Sequence, residues 1–465
     1  MKNLIKKIIV FKLDILAKLY IWRFKPDIVA VTGNVGKTST KEAISAVLGK
    51  IKKVRSGRGN LNNEFGVPLT IIGDWADDYY ETGNSFIFWC RVLLISFFKL
   101  FFQKNYPEIL VLEYGADRPG DIARLVRKYR PKVGVITAVG EIPVHVEYFT
   151  DPNGLAREKS KLISSLGSSE YAVLNHDDPI VYDMKEKTKA KVMSYGFTPT
   201  PERELLKSSA HGGDSRLVWG FTEGATVGLS NFDFRIDSSY RPEGVGFKIH
   251  TGSSYLPAGR QAFVPVILND VLGKSQALAA GAASCVGIIY GMNLIEISQA
   301  LADYQGPKGR LKILAGIKNS IIIDDTYNAA PSSTHLALET LKYLPAKRRI
   351  AILGDMLELG KYTIEAHEEM GNFGGSIADI LITVGARAKF SAYAAGNQMD
   401  QNSIHSFVNA DSAKLKIQEL IREGDLILVK GSQGMRMEKI VEEIMAEPER
   451  KKELLVRQGK KWLNM

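Results

Sequence analysis

Between Val29 and Glu42 the chain reads VAVTGNVGKTSTKE: an apolar run, a short glycine turn, a lysine and a hydroxyl cluster that opens a helical pattern. These residue types in this order suit a polyphosphate. Gly33 and Gly36 let backbone N–H groups turn onto an anion, and the helix start behind them adds positive potential. Lys37 can reach terminal phosphates and Thr38 can ligate Mg²⁺, with Asn34, Val35 and Ser39 completing the expected nucleotide-binding turn. The pattern departs from the full G-x-x-x-x-G-K-[ST] signature, because Val31 stands where the first glycine would be. An ordinary turn is the competing reading. A second apolar run, EILVLE, ends at Glu113, which puts a carboxylate at the carboxyl edge of a sheet, where open α/β folds collect ligands. Capping of the next helix is its alternative use.

These groups need a scaffold, and strand-like runs alternate with helical patterns from Asp27 onward: Ile28–Val31, Ile109–Leu112, Val133–Thr137 and Tyr171–Leu174, then Ser320–Asp324, Ile350–Gly354, Ile380–Val384 and Leu426–Val429. That alternation predicts an α/β fold: a P-loop ATPase-type central domain with a mostly parallel sheet, and a Rossmann-like C-terminal domain. The stretch Thr198 to Val266, richer in Gly and Ser and carrying FDFRID, predicts antiparallel strands with exposed loops. The Gly/Pro punctuation YQGPKGR, Tyr304 to Arg310, marks the main boundary. The expected domains are 1–26, 27–305 and 306–465, with an apolar insertion at about 74–106.

Length and composition are those of a globular chain of 465 residues, 45% hydrophobic and 24% charged. The formal charge of +10 is spread without an aromatic-interleaved basic stripe, which argues against a nucleic-acid partner. An anionic substrate or a membrane surface accounts for it equally well. Two distant cysteines, Cys90 and Cys285, give neither a disulfide framework nor a zinc site, and they fit a cytoplasmic location. No A-x-A site follows the apolar N-terminus, so a removable signal peptide is not expected.

Eight blocks, TGNVGKTSTKE, GNLNNEFGVPLT, LEYGADRPGDI, VLNHDDP, GPKGR, IDDTYNAAPSS, LGDMLELG and VKGSQGMRME, come in the order found in the Mur ligases. From about Asp27 to Glu443 the chain resembles that family, and it is most similar to the members that join D-Ala-D-Ala to a muramyl tripeptide. The resemblance implies an amide ligase of peptidoglycan precursor synthesis. A substrate carboxylate takes the γ-phosphoryl group of ATP, and an amine then displaces phosphate from the acyl phosphate. It implies ATP and Mg²⁺ as cofactors, and a muramyl peptide and a D-Ala-D-Ala-like amine as substrates.

By the same resemblance Thr38, Glu113, His145 and Lys159 surround the metals, with Lys37 beside them. Lys159 aligns with a lysine that relatives carry as a carbamate, and Lys161 is the alternative. Asn62 and Asn63 line the muropeptide side. Arg310 and Asp325 hold ATP from the far lobe, and Gln276 stands where relatives place an adenine-contacting asparagine. Tyr327, Asn328, Asp355, Glu358, Lys430, Ser432 and Arg436 face the incoming amine. Surface salt bridges compete as the use of Glu358 and Arg436.

Two segments depart from the family pattern. Only about 26 residues precede the first strand, so a separate UDP-sugar domain is not expected. In its place LIKKIIVFKLDILAKLYIWRF, Leu4 to Phe24, confines Lys7, Asp14, Lys18 and Lys25 to one arc of a helix. FIFWCRVLLISFFKLFF, Phe86 to Phe102, approaches the length of a membrane span. A single crossing would put the phosphate loop and Glu113 on opposite sides of a bilayer. Peripheral contact through 4–24 and 86–102, at the inner face of the plasma membrane, is therefore expected, with internal packing the alternative. Other acid and amine pairs, as in the folate and cyanophycin ligases, a lipid-linked acceptor, and an inactive nucleotide-binding scaffold stay open.

Overall fold

A computed structural model describes residues 2–59, 61–82, 85–116, 118–142, 146–149, 152–197, 224–251 and 263–463. Within them nine strands form one sheet in the order β2-β3-β1-β4-β5-β6-β7-β8-β9. Its parallel part comprises β1 (Asp27–Thr32), β2 (Val54–Ser56), β3 (Ile109–Glu113), β4 (Val133–Ile136), β5 (Tyr171–Asn175) and β6 (Lys191–Phe197). The antiparallel edge comprises β7 (Val227–Ile236), β8 (Pro242–Thr251) and β9 (Val264–Asn269). The expected antiparallel segment is thus present from Val227 onward, while residues 198–223 lie outside the described residues. Strands β1, β3 and β4 are buried along almost their whole length, as continuous Val/Ile/Leu runs must be when helices cover both faces of a parallel sheet.

One face is covered by α2 (Lys37–Leu48) and the helix Lys274–Ile289, whose Ala- and Gly-rich sequence allows close approach. The other face carries α1 (Lys2–Phe24), α3 (Gly66–Ile72), α5 (Phe86–Phe102), α6 (Asp121–Lys128) and α7 (Pro152–Ser164), with the short α4 (Ala76–Thr82) preceding α5. Helix α1 therefore packs across the sheet with Leu13, Leu16, Ala17 and Tyr20 buried, and Asp14, expected on a solvated arc, binds Lys128 and the Tyr129 hydroxyl. Among the described residues no helix is long and apolar enough to cross a membrane.

A second sheet of six described strands has the order β10-β11-β15-β12-β13-β14. They are β10 (Lys312–Ala315), β11 (Ile321–Asp325), β12 (Arg349–Gly354), β13 (Ile380–Val384), β14 (Ile404–Phe407) and β15 (Leu426–Lys430). All pairings are parallel except β10 with β11. The carboxyl ends of β11, β12 and β15 carry the loops that face the first sheet's glycine turn.

Candidate active site

The turn after β1 is stapled to the end of β4. The Asn34 N–H donates to the Ala138 carbonyl at 2.6 Å, Asn34 Nδ2 to the Val139 carbonyl at 2.7 Å, and Thr137 Oγ1 to the Val35 carbonyl at 2.7 Å. Gly33 has φ +149°, and a Cβ there would stand 1.9 Å from Thr137 Oγ1, so a side chain is excluded by contact as well as conformation. Gly36, at φ 86°, caps α2 in the left-handed region and turns the chain into the helix. Lys37 lies back over its own loop, its Nζ 2.8 Å from the Gly33 carbonyl and 3.2 Å from that of Asn34.

Strand β3 delivers Glu113 to this loop. Thr38 Oγ1 donates to Glu113 Oε2 at 3.1 Å, and Asn62 Nδ2 donates to Oε1 at 3.1 Å. Glu113 therefore faces the phosphate loop and does not cap a helix. The hydroxyl and carboxylate form an oxygen-only donor pair, which suits a hard cation that takes its remaining ligands from water and substrate phosphates. Among the described residues no group of three or more His, Cys, Asp or Glu could hold a metal. His145 lies outside the described residues. Asn63 Oδ1 accepts from the Phe65 and Gly66 N–H groups, each at 3.1 Å, just before α3.

The two candidate lysines on α7 separate. Lys159 is buried and donates to the Gly33 carbonyl at 2.9 Å, from behind the loop. Lys161 is half exposed and pairs with Glu158 at 2.6 Å.

A cleft of about 660 Å³ runs between the sheets. One wall is Asn34, Lys37, Thr38, Asn62, Asn63 and Glu113; the other is Arg310, Tyr327, Asn328, Glu358 and Ser432. The Arg310 guanidinium lies 4.0 Å from the Tyr327 ring centroid, and its buried Nε has no protein partner among the described residues. A buried donor left unpaired at a cleft wall fits an anionic ligand.

Several residues expected to meet ligand hold protein partners in this structure. Lys430 Nζ, at the end of β15, is 2.6 Å from Asp325 Oδ2 at the end of β11, and both are buried. Burial pushes the Asp325 carboxyl up and the Lys430 ammonium down, and each charge opposes that pull on the other. Asp325 and Lys430 flank a space of about 30 Å³ behind the loop, together with Ser39 and Gln276. The Gln276 amide is occupied at both ends: Nε2 donates to the Arg310 carbonyl at 2.8 Å, and Oε1 accepts from Tyr304 at 2.7 Å. Asp355 does not wall the cleft, because its carboxylate accepts from the Arg387 and Ala388 N–H groups at 3.0 and 2.7 Å. Arg436 binds Glu438 at 2.6 Å and the Trp462 carbonyl at 2.7 Å, bracing the C-terminal turn.

Arg118, Tyr148, Ser333 and Trp462 also line the cleft and were not singled out by sequence. Arg118 sits inside LEYGADRPGDI and was legible as a cation next to the strand-end carboxylate. Trp462 arrives through the C-terminal segment, for which no local pattern exists.

The family description "Mur ligase middle domain" matches residues 94–227, and "Mur ligase, glutamate ligase domain" matches residues 309–433. The chain belongs to the Mur ligase family. This Mur ligase is 28% identical over 427 residues to the UDP-N-acetylmuramoyl-tripeptide–D-alanyl-D-alanine ligase of Rickettsia prowazekii, covering 90% of this chain and 78% of that one. It is 26% identical over 436 residues to the enzyme of the same name from Bacillus subtilis, covering 93% and 79%. Among solved structures, MurF ligase from Thermotoga maritima in complex with ADP has the same fold, with TM-score 0.71 at 24% identity over 95% of this Mur ligase and 84% of that chain.

Proposed function

We propose that the cleft joins a D-Ala-D-Ala-like amine to the terminal carboxylate of a muramyl peptide, converting ATP to ADP and phosphate. The carboxylate oxygen bonds to the γ-phosphorus as the bond to ADP breaks. The amine nitrogen then bonds to the acyl carbon as phosphate leaves, and the amine gives up a proton. Curated relatives sharing about four fifths of their length with this chain carry that activity in their names. One observation carries the reading: the phosphate loop, the Thr38–Glu113–Asn62 contact set and the partnerless donor of Arg310 converge on a single cleft.

In this reading the N–H groups from Gly36 to Thr38, at the start of α2, hold phosphate oxygens, and Lys37 swings off the Gly33 and Asn34 carbonyls to join them. Arg310 meets the same charge from the opposite wall, where its planar donors act in a water-poor space. Thr38 and Glu113 would hold Mg²⁺, with His145 proposed as a further ligand; when bound, the ion would supply positive charge against the transferring phosphoryl group. Lys159 as a carbamate would keep one N–H for the Gly33 carbonyl. Asn62 and Asn63 position the acid, and Asn328, Glu358 and Ser432 face the amine. The enzyme works in the cytoplasm, with peripheral contact to the inner face of the plasma membrane.

Phosphate release from ATP, measured with muramyl tripeptides and D-Ala-D-Ala, tests the proposal. Release that requires both acid and amine is expected. Release indifferent to the muramyl peptide would sink it.

A further inference from the structure

Half of the large hydrophobic side chains exposed among the described residues lie on α1 and α5. On α1 they recur at helical spacing, with Phe11, Ile15 and Trp22 forming an outward stripe. On α5 the outward stripe includes Leu94, Phe98 and Phe101. The opposite faces of both helices enter one core on the sheet. The helices lie side by side: the Tyr20 hydroxyl donates to the Ser96 carbonyl at 2.7 Å, and Arg23 to the Phe101 carbonyl at 3.1 Å. The two stripes therefore adjoin, and together they exceed the isolated apolar groups normal on a soluble surface.

Charge around the stripe says what covers it. On a 3.6-residue turn, Lys7 and Lys18 fall along one flank of the α1 stripe and Lys12 and Arg23 along the other, and the exposed Lys25 follows just past the helix end. The sole acid of α1, Asp14, is turned inward onto Lys128, and α5 contains none. An apolar strip edged by cations and free of acids fits a surface of hydrocarbon beneath anionic headgroups. A second copy of the chain would bring the same cations against each other.

We propose that α1 and α5 form one platform that lies flat on an anionic lipid bilayer, its stripe sunk roughly 5–10 Å below the headgroups. The platform does not span: no described helix is long and apolar enough to cross a bilayer, and the exposed Arg91 and Lys99 lie over the Trp75 ring, tying α5 to the protein. It also joins the cleft. Lys6 pairs with Glu64 at 3.1 Å, and Phe65 meets Trp89 at 5.6 Å, so the segment carrying Asn62 and Asn63 is anchored on both platform helices. The inference rests on the membrane contact in the proposed function, and is independent of which acid and amine are joined.

The test is flotation of the full chain with vesicles of phosphatidylcholine alone or with phosphatidylglycerol, alongside sedimentation in solution. Expected is binding to the phosphatidylglycerol vesicles, weakened by salt, with little binding to phosphatidylcholine alone. Trp22→Glu with Phe98→Glu should lower the bound fraction about tenfold or more. Neutralising Lys7, Lys18 and Lys25 to Gln should weaken partitioning by roughly fivefold per charge. Both variants change exposed side chains, and unaltered thermal unfolding checks their fold. Binding equal to wild type in both variants, no binding to either vesicle, or a solution dimer that Phe98→Glu dissociates would overturn the proposal. Phosphate release measured on the same samples separates loss of docking from failure of the ligase reading.

Discussion

The glycine-turn wall of the cleft is held by backbone donors, glycine conformation and one threonine, whereas the wall opposite is held by buried charges. In the first, the Asn34 and Val35 N–H groups and the Val35 carbonyl are tied to the end of β4, and the chain then turns at Gly36 into α2. In the second, Lys430 with Asp325, and Arg457 with Glu438, fasten β11, β15 and the C-terminal segment to one another. Charged residues next to strand ends therefore have two different fates. Where the backbone makes the site, side chains are released for chemistry; where side chains make the wall, they are consumed by it.

Substitutions should divide along that line. The largest effect is expected at the loop: Lys37→Ala and Glu113→Gln each lower substrate-dependent phosphate release by about 10²–10³-fold or more, while thermal unfolding stays near wild type. Lys430→Ala, on the far wall, leaves Asp325 buried without its partner and should cost about 3–5 kcal/mol by urea unfolding. Asp355→Ala removes the acceptor for one buried and one half-buried N–H group, and a loss of about 1–3 kcal/mol is expected with no specific change in KM for the amine. A selective KM rise would instead return Asp355 to the site.

The smallest effect is a pH dependence on the same wall. Burial pushes the Asp324 carboxyl up to about 6 from its usual 3.8, against hydrogen bonds from Thr326. Between those values the folded chain holds a proton that the unfolded chain has released, so stability falls as pH rises from about 4 to about 6. Asp324→Asn should remove that fall, a relative gain on the order of 2 kcal/mol at pH 7 that is absent near pH 3. Unfolding curves of both proteins across this range would measure it.

The same division explains what the sequence disclosed. Glycine turns and strand-end runs are local, so Gly33 to Ser39 and Glu113 could be placed from residue order, as could the parallel sheets. That Thr38 meets Glu113 across 75 positions could be expected only from the shared edge of β1 and β3. Whether Asp325, Asp355 or Arg436 faces a ligand or a neighbour depends on pairings such as β11 with β15, which no local pattern encodes. Trp462 reaches the cleft through a terminal turn braced by Arg436, and nothing in its own stretch signals that. On α1, composition disclosed an amphipathic helix but not that it has two apolar faces, one packed on the sheet and one outward.

The most direct test is an isotope experiment: a muramyl peptide labelled with ¹⁸O in its terminal carboxylate, turned over with ATP and D-Ala-D-Ala, and the released phosphate weighed by mass spectrometry. Activation through an acyl phosphate predicts one labelled oxygen in each phosphate. Unlabelled phosphate accompanying amide formation would contradict it.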